Sequence, residues 1–250
     1  MTGRHALALG ACTLVVIVSV GCGGDNEVIA SPAILGQEAD PGARDTQAEP
    51  TLDQPPVTYA LTSADLEEAT SGASTFWADA DRTFVLDATN YGKVVSASGG
   101  AAMLTSWGYL GGYETVFVPE GRDEAVLEGA YYAVLEVHLF ATPAGAAMAY
   151  HHFVEKLTTT PAKRMDMHAV GNESTAWTMT SGKLSNSDKT RVHSSVLFRR
   201  GNLVAVILVI GAEDHVDAET METLAAMVDA RALGGSRADE AAPLATQTPR

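Results

Sequence analysis

The run from Leu203 to Ile210, LVAVILVI, constrains the fold more than any other stretch. It is apolar on both faces of an extended chain, so it reads as a central strand covered on both sides. His193 to Arg199 precedes it, and Arg200-Gly201-Asn202 lies between. Glycine and asparagine tolerate the positive φ of a tight turn, so the two runs predict a hairpin. Asp217 then caps a helix carrying Met221, Leu224, Ala225, Val228 and Ala232, and Gly234-Gly235 ends it.

A similar order stands earlier in the chain. Tyr131 to Phe140 alternates, with Tyr131, Ala133, Leu135, Val137 and Leu139 on one face. The other face holds Glu136 and His138, so the first set is the expected core face. Thr142 is the expected N-cap of a helix with Pro143 at its first position. Ala147, Tyr150, His151, Val154 and Leu157 recur at helical spacing before Thr158-Thr159-Thr160-Pro161 stops the helix. Ser174 to Thr180 reads as a strand anchored by Trp177. Strands followed by a helix thus occur twice, around 113–158 and 174–233. The expected class is α+β: an antiparallel sheet with helices packed on one face. In the region 58–112, Ser63 to Ala69 reads as a short helix and Trp107 to Val118 as a hairpin around Gly111-Gly112.

The amino terminus is of another kind. Arg4 and His5 precede a short apolar stretch, Ala6 to Val20, followed by Gly21 and Cys22. A membrane-spanning helix needs roughly 20 apolar residues, more than this stretch offers. A basic start, a short apolar core and small residues before a cysteine mark an export signal rather than an anchor helix. This segment resembles the signal peptide and lipobox of a bacterial lipoprotein. The resemblance implies cleavage before Cys22 and a diacylglyceryl group, with palmitate-type chains, on its thiol. It places the protein outside the cytoplasm, lipid-anchored to the cell membrane or the outer membrane.

The chain then divides into 1–21, signal peptide; 22–57, lipidated cysteine and acidic tether; 58–233, globular domain; and 234–250, loose tail. The tether holds seven acids, one base (Arg44) and five prolines, with no apolar period, so it buries too little to order itself. Cys12 leaves with the signal and Cys22 carries lipid, and these are the chain's two cysteines. A thiol enzyme, a redox motif and a cysteine-bound zinc site are therefore excluded. The formal charge is −15, and removal of Arg4 with the signal makes the mature chain more negative still. Such a balance argues against nucleic acid as a partner.

Three segments carry a family resemblance: Val170-Gly171-Asn172-Glu173-Ser174, then Val196-Leu197-Phe198-Arg199-Arg200-Gly201-Asn202-Leu203-Val204, then Leu224-Ala225-Ala226-Met227-Val228-Asp229-Ala230-Arg231. Together they resemble uncharacterised bacterial lipoproteins whose architecture is similar to the PsbP-like fold and to extracellular sensor domains of bacterial receptor kinases. The resemblance spans about 113–233. Its motifs are turn, strand and cap, and they carry no catalytic residue.

His138, His151, His152, His168, His193 and His215 follow the signal, with no HxxxH or HExxH spacing. Only a fold that joined His138 and His151 to Glu155 would make a metal site of them. Asp79, Asp81 and Asp87 lack the glycine and terminal acid of a calcium loop and read as a solvated loop. Ser185, Ser187 and Lys189 have no serine-to-lysine hydrolase spacing, and strand alternation separates His193 from Ser194. Arg199 and Arg200, flanking a turn, read as solvated. Trp107, Tyr109, Tyr113 and Phe117 read as strand-core packing. No cofactor and no catalytic or metal residue is expected; Cys22 is the one site residue. The expectation is a non-enzymatic lipoprotein binding an envelope protein or small ligand through its α+β domain. An envelope hydrolase or metal-dependent enzyme, and a structural envelope assembly factor, are the alternatives.

Overall fold

The computed structural model describes residues 49–70, 75–120, 130–184 and 188–234. The signal, Cys22, most of the tether, the tail beyond Gly234, and Ser185 and Ser187 lie outside them. Seven strands form one sheet: β1 Phe76–Leu86, β2 Tyr109–Pro119, β3 Ala130–Phe140, β4 Lys163–Met165, β5 Glu173–Lys183, β6 Thr190–Arg200 and β7 Leu203–Ala212. Their order is β1-β2-β3-β7-β6-β5-β4, and every neighbouring pair is antiparallel. Among the described residues, helices α1 Ser63–Ala69, α2 Ala88–Val95, α3 Gly100–Ser106, α4 Pro143–Thr158 and α5 Ala218–Ala232 accompany the sheet. The α+β class, the antiparallel sheet and the twofold strands-then-helix order agree with the sequence. No helix of the described residues is long and apolar enough to cross a membrane.

Strand β7 lies at the middle of the sheet, and its side chains serve two cores. Leu203, Ala205, Ile207 and Val209 pack with Leu135, Val137 and Leu139 of β3 and with Met221, Leu224, Ala225 and Val228 of α5. Val204 and Val206 point the other way. They pack with Phe140, with Ala146, Ala149, Tyr150 and Phe153 of α4, and with Tyr91, Val95 and Leu104 of α2 and α3. Each such buried aliphatic or aromatic side chain contributes about 1.5–3 kcal/mol. The helices are thus shared between both faces of the sheet, α5 with α1 on one and α4 with α2 and α3 on the other, rather than packed on one.

Local chemistry sets the helix starts. Thr142 Oγ1 accepts from the Gly145 amide at 3.1 Å, and Pro143 begins α4. An Asp217 carboxylate oxygen accepts from the Thr220 amide at 2.9 Å. Thr62 and Asp65 cap α1 reciprocally.

Other features also go beyond or against the sequence expectations. Strand β3 turns Ala133, Leu135, Val137 and Leu139 to the core as expected, but Val134, Glu136, His138 and Phe140 on its other face are buried as deeply. Helix α4 buries Gly145, Ala146, Ala149, Tyr150 and Phe153, while His151 is exposed and Val154 only partly covered. Gly111 and Gly112 lie inside β2, beside a bulge between Tyr109 and Gly111, and make no turn. Residues 49–57, assigned to the tether, are folded onto the domain: Leu52 packs on the α5-side core, and Pro56–Tyr59 is a 3-10 turn. At the outer edge, β1 breaks register against β2 between Ala78 and Thr83.

Candidate binding cleft and buried polar clusters

The three segments that carry the family resemblance meet at the β6–β7 turn. Arg200 is wholly buried, and its guanidinium donates from Nε and Nη2 to the two carboxylate oxygens of Asp229 on α5, at 2.7 and 2.8 Å. Arg199 is 6% exposed and held by Glu173 at 2.7 Å and Glu49 at 2.8 Å. Gly201 takes φ +54°, and its amide donates to Asn172 Oδ1 at 2.7 Å. The Asn202 side chain donates to the Phe140 carbonyl at 2.6 Å and bonds both the amide and the carbonyl of Leu52. Arg231 donates to Asp65 at 2.6 Å and to the Ala60 carbonyl at 2.8 Å. The arginines read as solvated are therefore interior struts. The charges that pair with them come from residues distant in sequence, so the turn alone gives no sign of them.

A second cluster lies beneath α2 and α4. Tyr91 donates to Glu136 Oε2 at 2.8 Å, and His138 Nε2 stands 3.2 Å from the same oxygen. The other ring nitrogen of His138 is 3.1 Å from the Tyr109 hydroxyl. Phe153 closes over the Tyr91 and His138 rings. Burial first, and then the Glu136 charge, push the Tyr91 phenol well above its ordinary value, and the same two causes raise Tyr109. Both phenols stay protonated, and Tyr91 donates to the Glu136 carboxylate. Gly112 makes this cluster possible: a Cβ there would stand 2.6 Å from the Tyr109 hydroxyl and 2.7 Å from His138 Nδ1. The glycine read as a turn residue is thus a close-approach residue inside a strand.

The third feature is a cleft where the carboxyl end of α4 overhangs β5, β6 and β7. It offers about 50 Å³ of room and is lined by Leu157, Thr160, Ala162, Trp177, Met179, His193, Ser195 and Leu208. Register accounts for the lining. Trp177 stands opposite Ser195, Met179 opposite His193, and Ser195 opposite Leu208, so all five share one face. Thr178 and Ser194 point to the opposite face, where their hydroxyls lie 3.2 Å apart. Burial, with Arg191 adding to it, lowers the His193 pKa from its ordinary 6.5, so the ring is neutral at pH 7. Among the described residues, three buried side-chain atoms lack a hydrogen-bond partner: Glu136 Oε1, Trp177 Nε1 and His193 Nε2. Two of the three belong to this cleft. Trp177, read as a core anchor, is half-buried in its wall.

The remaining candidates are dispersed. His151 lies 3.3 Å from Glu173, His168 lies 2.8 Å from Glu222, and the His152 ring meets that of Trp107 at a tilt. His215 sits beside Lys189 and Asp214. His138 is enclosed while His151 is exposed, so the two do not converge with Glu155. Among the described residues, no three His, Asp or Glu side chains are grouped to hold a metal ion. Asp79 takes the Arg82 guanidinium at 2.7 Å, and Asp87 caps α2 through the Thr89 and Asn90 amides. The acidic run is therefore strand β1 and a helix cap rather than one loop. Phe117 and Tyr113 pack with the α5-side core, and Trp107 and Tyr109 with the α4-side core.

No protein-family model matches the chain, and no curated protein matches it. Among solved structures, it is similar to the extracellular domain of PknH from Mycobacterium tuberculosis, with a TM-score of 0.48 and 10% identity, covering 71% of this chain and 94% of that one.

Proposed function

We propose that the protein is an extracytoplasmic lipoprotein that binds a partner protein or small ligand and does not transform it. Cys22 carries the lipid, and the α+β domain does the binding. The observation that carries the binding reading is the cleft under α4: apolar walls enclose two ring nitrogens with no partner. A largely apolar pocket with a few convergent polar groups suits recognition. Support for a non-catalytic role comes from the polar clusters. Arg200 with Asp229 and Tyr91 with Glu136 and His138 are sealed in the interior, and none of these side chains lines the cleft.

The anchor is tested by Cys22→Ala. The variant is expected to leave the membrane fraction and to take up no radiolabelled palmitate; unchanged fractionation with retained label overturns the anchor. Native mass spectrometry of the protein taken from its own envelope tests the binding. A stoichiometric bound molecule, lost when Ser195→Trp fills the cleft, is the expected result.

A further inference from the structure

We propose that the cleft between α4 and strands β5–β7 takes a small carboxylate carried on an apolar body, its oxygens accepting from the Trp177 and His193 rings. This rests on the binding reading above and names its ligand class. An indole N–H donates and never accepts, so Trp177 Nε1 buried without a partner is a donor waiting for an acceptor. Neutral imidazole carries one N–H, and the tautomer with hydrogen on Nε2 makes His193 a second donor. The walls set the rest of the ligand: Leu157, Met179 and Leu208 offer aliphatic and thioether surface to a hydrocarbon body.

Charge selects the anion over a neutral acceptor. Arg164 of β4 stands directly opposite Trp177 and is exposed. Arg191 lies two residues before His193, so both guanidinium side chains leave the sheet on the cleft's own face. Arg191 is braced on Ser181, through its hydroxyl and its carbonyl, with no carboxylate in that grip. In a chain of formal charge −15, two arginines thus stand on the cleft's own face of the sheet. A carboxylate head meets two donors and two positive charges there; an ammonium head meets neither. Both ring nitrogens are shielded from solvent, so the head reaches them by displacing the side chains that cover them.

Hexanoate, hexanol and hexylamine share one body and differ in the head, and the full chain carries three tryptophans. Nitrogen-15 spectra of the indole N–H groups therefore read the site directly. Hexanoate is expected to move the Trp177 signal saturably, leaving those of Trp77 and Trp107 in place. His193→Phe should weaken hexanoate about tenfold, the loss expected for one hydrogen bond to a charged group. Arg164→Ala should weaken hexanoate and leave hexanol unchanged. Unmoved Trp77 and Trp107 signals show that each variant is folded. Saturable binding of hexanol or hexylamine without hexanoate overturns the anionic class and leaves the binding reading standing. If no probe shifts Trp177 and the native protein carries no bound molecule, both fall.

Discussion

Arg200 and Asp229 illustrate how single residues hold this domain. A guanidinium and a carboxylate removed from water lose their hydration, and their mutual attraction plus two short hydrogen bonds restores most of it. Asp229→Ala leaves the guanidinium enclosed without its counter-charge. The expected loss is about 3–5 kcal/mol of unfolding free energy, measured by urea titration. Replacing both partners with apolar residues, Arg200→Met with Asp229→Leu, should cost less than Asp229→Ala alone. A loss below about 1 kcal/mol for Asp229→Ala would show that the pair is not the strut described here. The sequence shows the two residues but not their meeting. They stand 29 positions apart, and arginine beside a tight turn is ordinarily wet. Glu136 and His138 misled for the same reason: two polar residues on one strand face imply solvent until Tyr91 and Tyr109, from other elements, supply the hydrogen bonds.

At the scale of elements, what depends on near neighbours was legible. The Thr142 cap, the Pro143 start, helix Ser63–Ala69 and the Gly201-Asn202 turn each follow from a few adjacent residues. The buried face of α4 was not. Its first half, PAGAAMA, offers small residues on every side, so no period separates inside from outside; packing against Phe140 and Leu197 decides. The cleft was illegible too, because its lining comes from α4, the segment after it, β5, β6 and β7. A cap is testable alone. Asp217 accepts hydrogen bonds from the Thr220 amide and hydroxyl, and these hold its pKa below the ordinary 3.8. A carboxylate depressed by folding adds stability above its unfolded pKa and loses it as pH falls through the folded value. Asp217→Ala should therefore cost about 1 kcal/mol at pH 7. The gap to the parent should narrow on acidification below 3.8. Thermal melts across that range check both, and a gap that widens in acid would contradict the cap.

For the whole molecule, the folded unit begins earlier than composition suggests. Glu49 and Leu52 look like tether, yet one pairs with Arg199 and the other is held at both its amide and its carbonyl by Asn202. Composition measures average burial and cannot see two residues pinned by a distant turn. A chain beginning at residue 53 should melt several degrees below one beginning at 49, since the loss of Leu52 packing and these hydrogen bonds amounts to about 2 kcal/mol. Equal melting temperatures would return 49–52 to the tether.

The two rims of the sheet have a consequence of their own. On one side β4 is three residues long and begins with Lys163 and Arg164; on the other, β1 swells out of line at Asp79 to Arg82. Neither presents a long, straight ladder of open peptide groups to a visiting chain. Copies crowded together on a surface would find no ready seam along which to zip into fibrils.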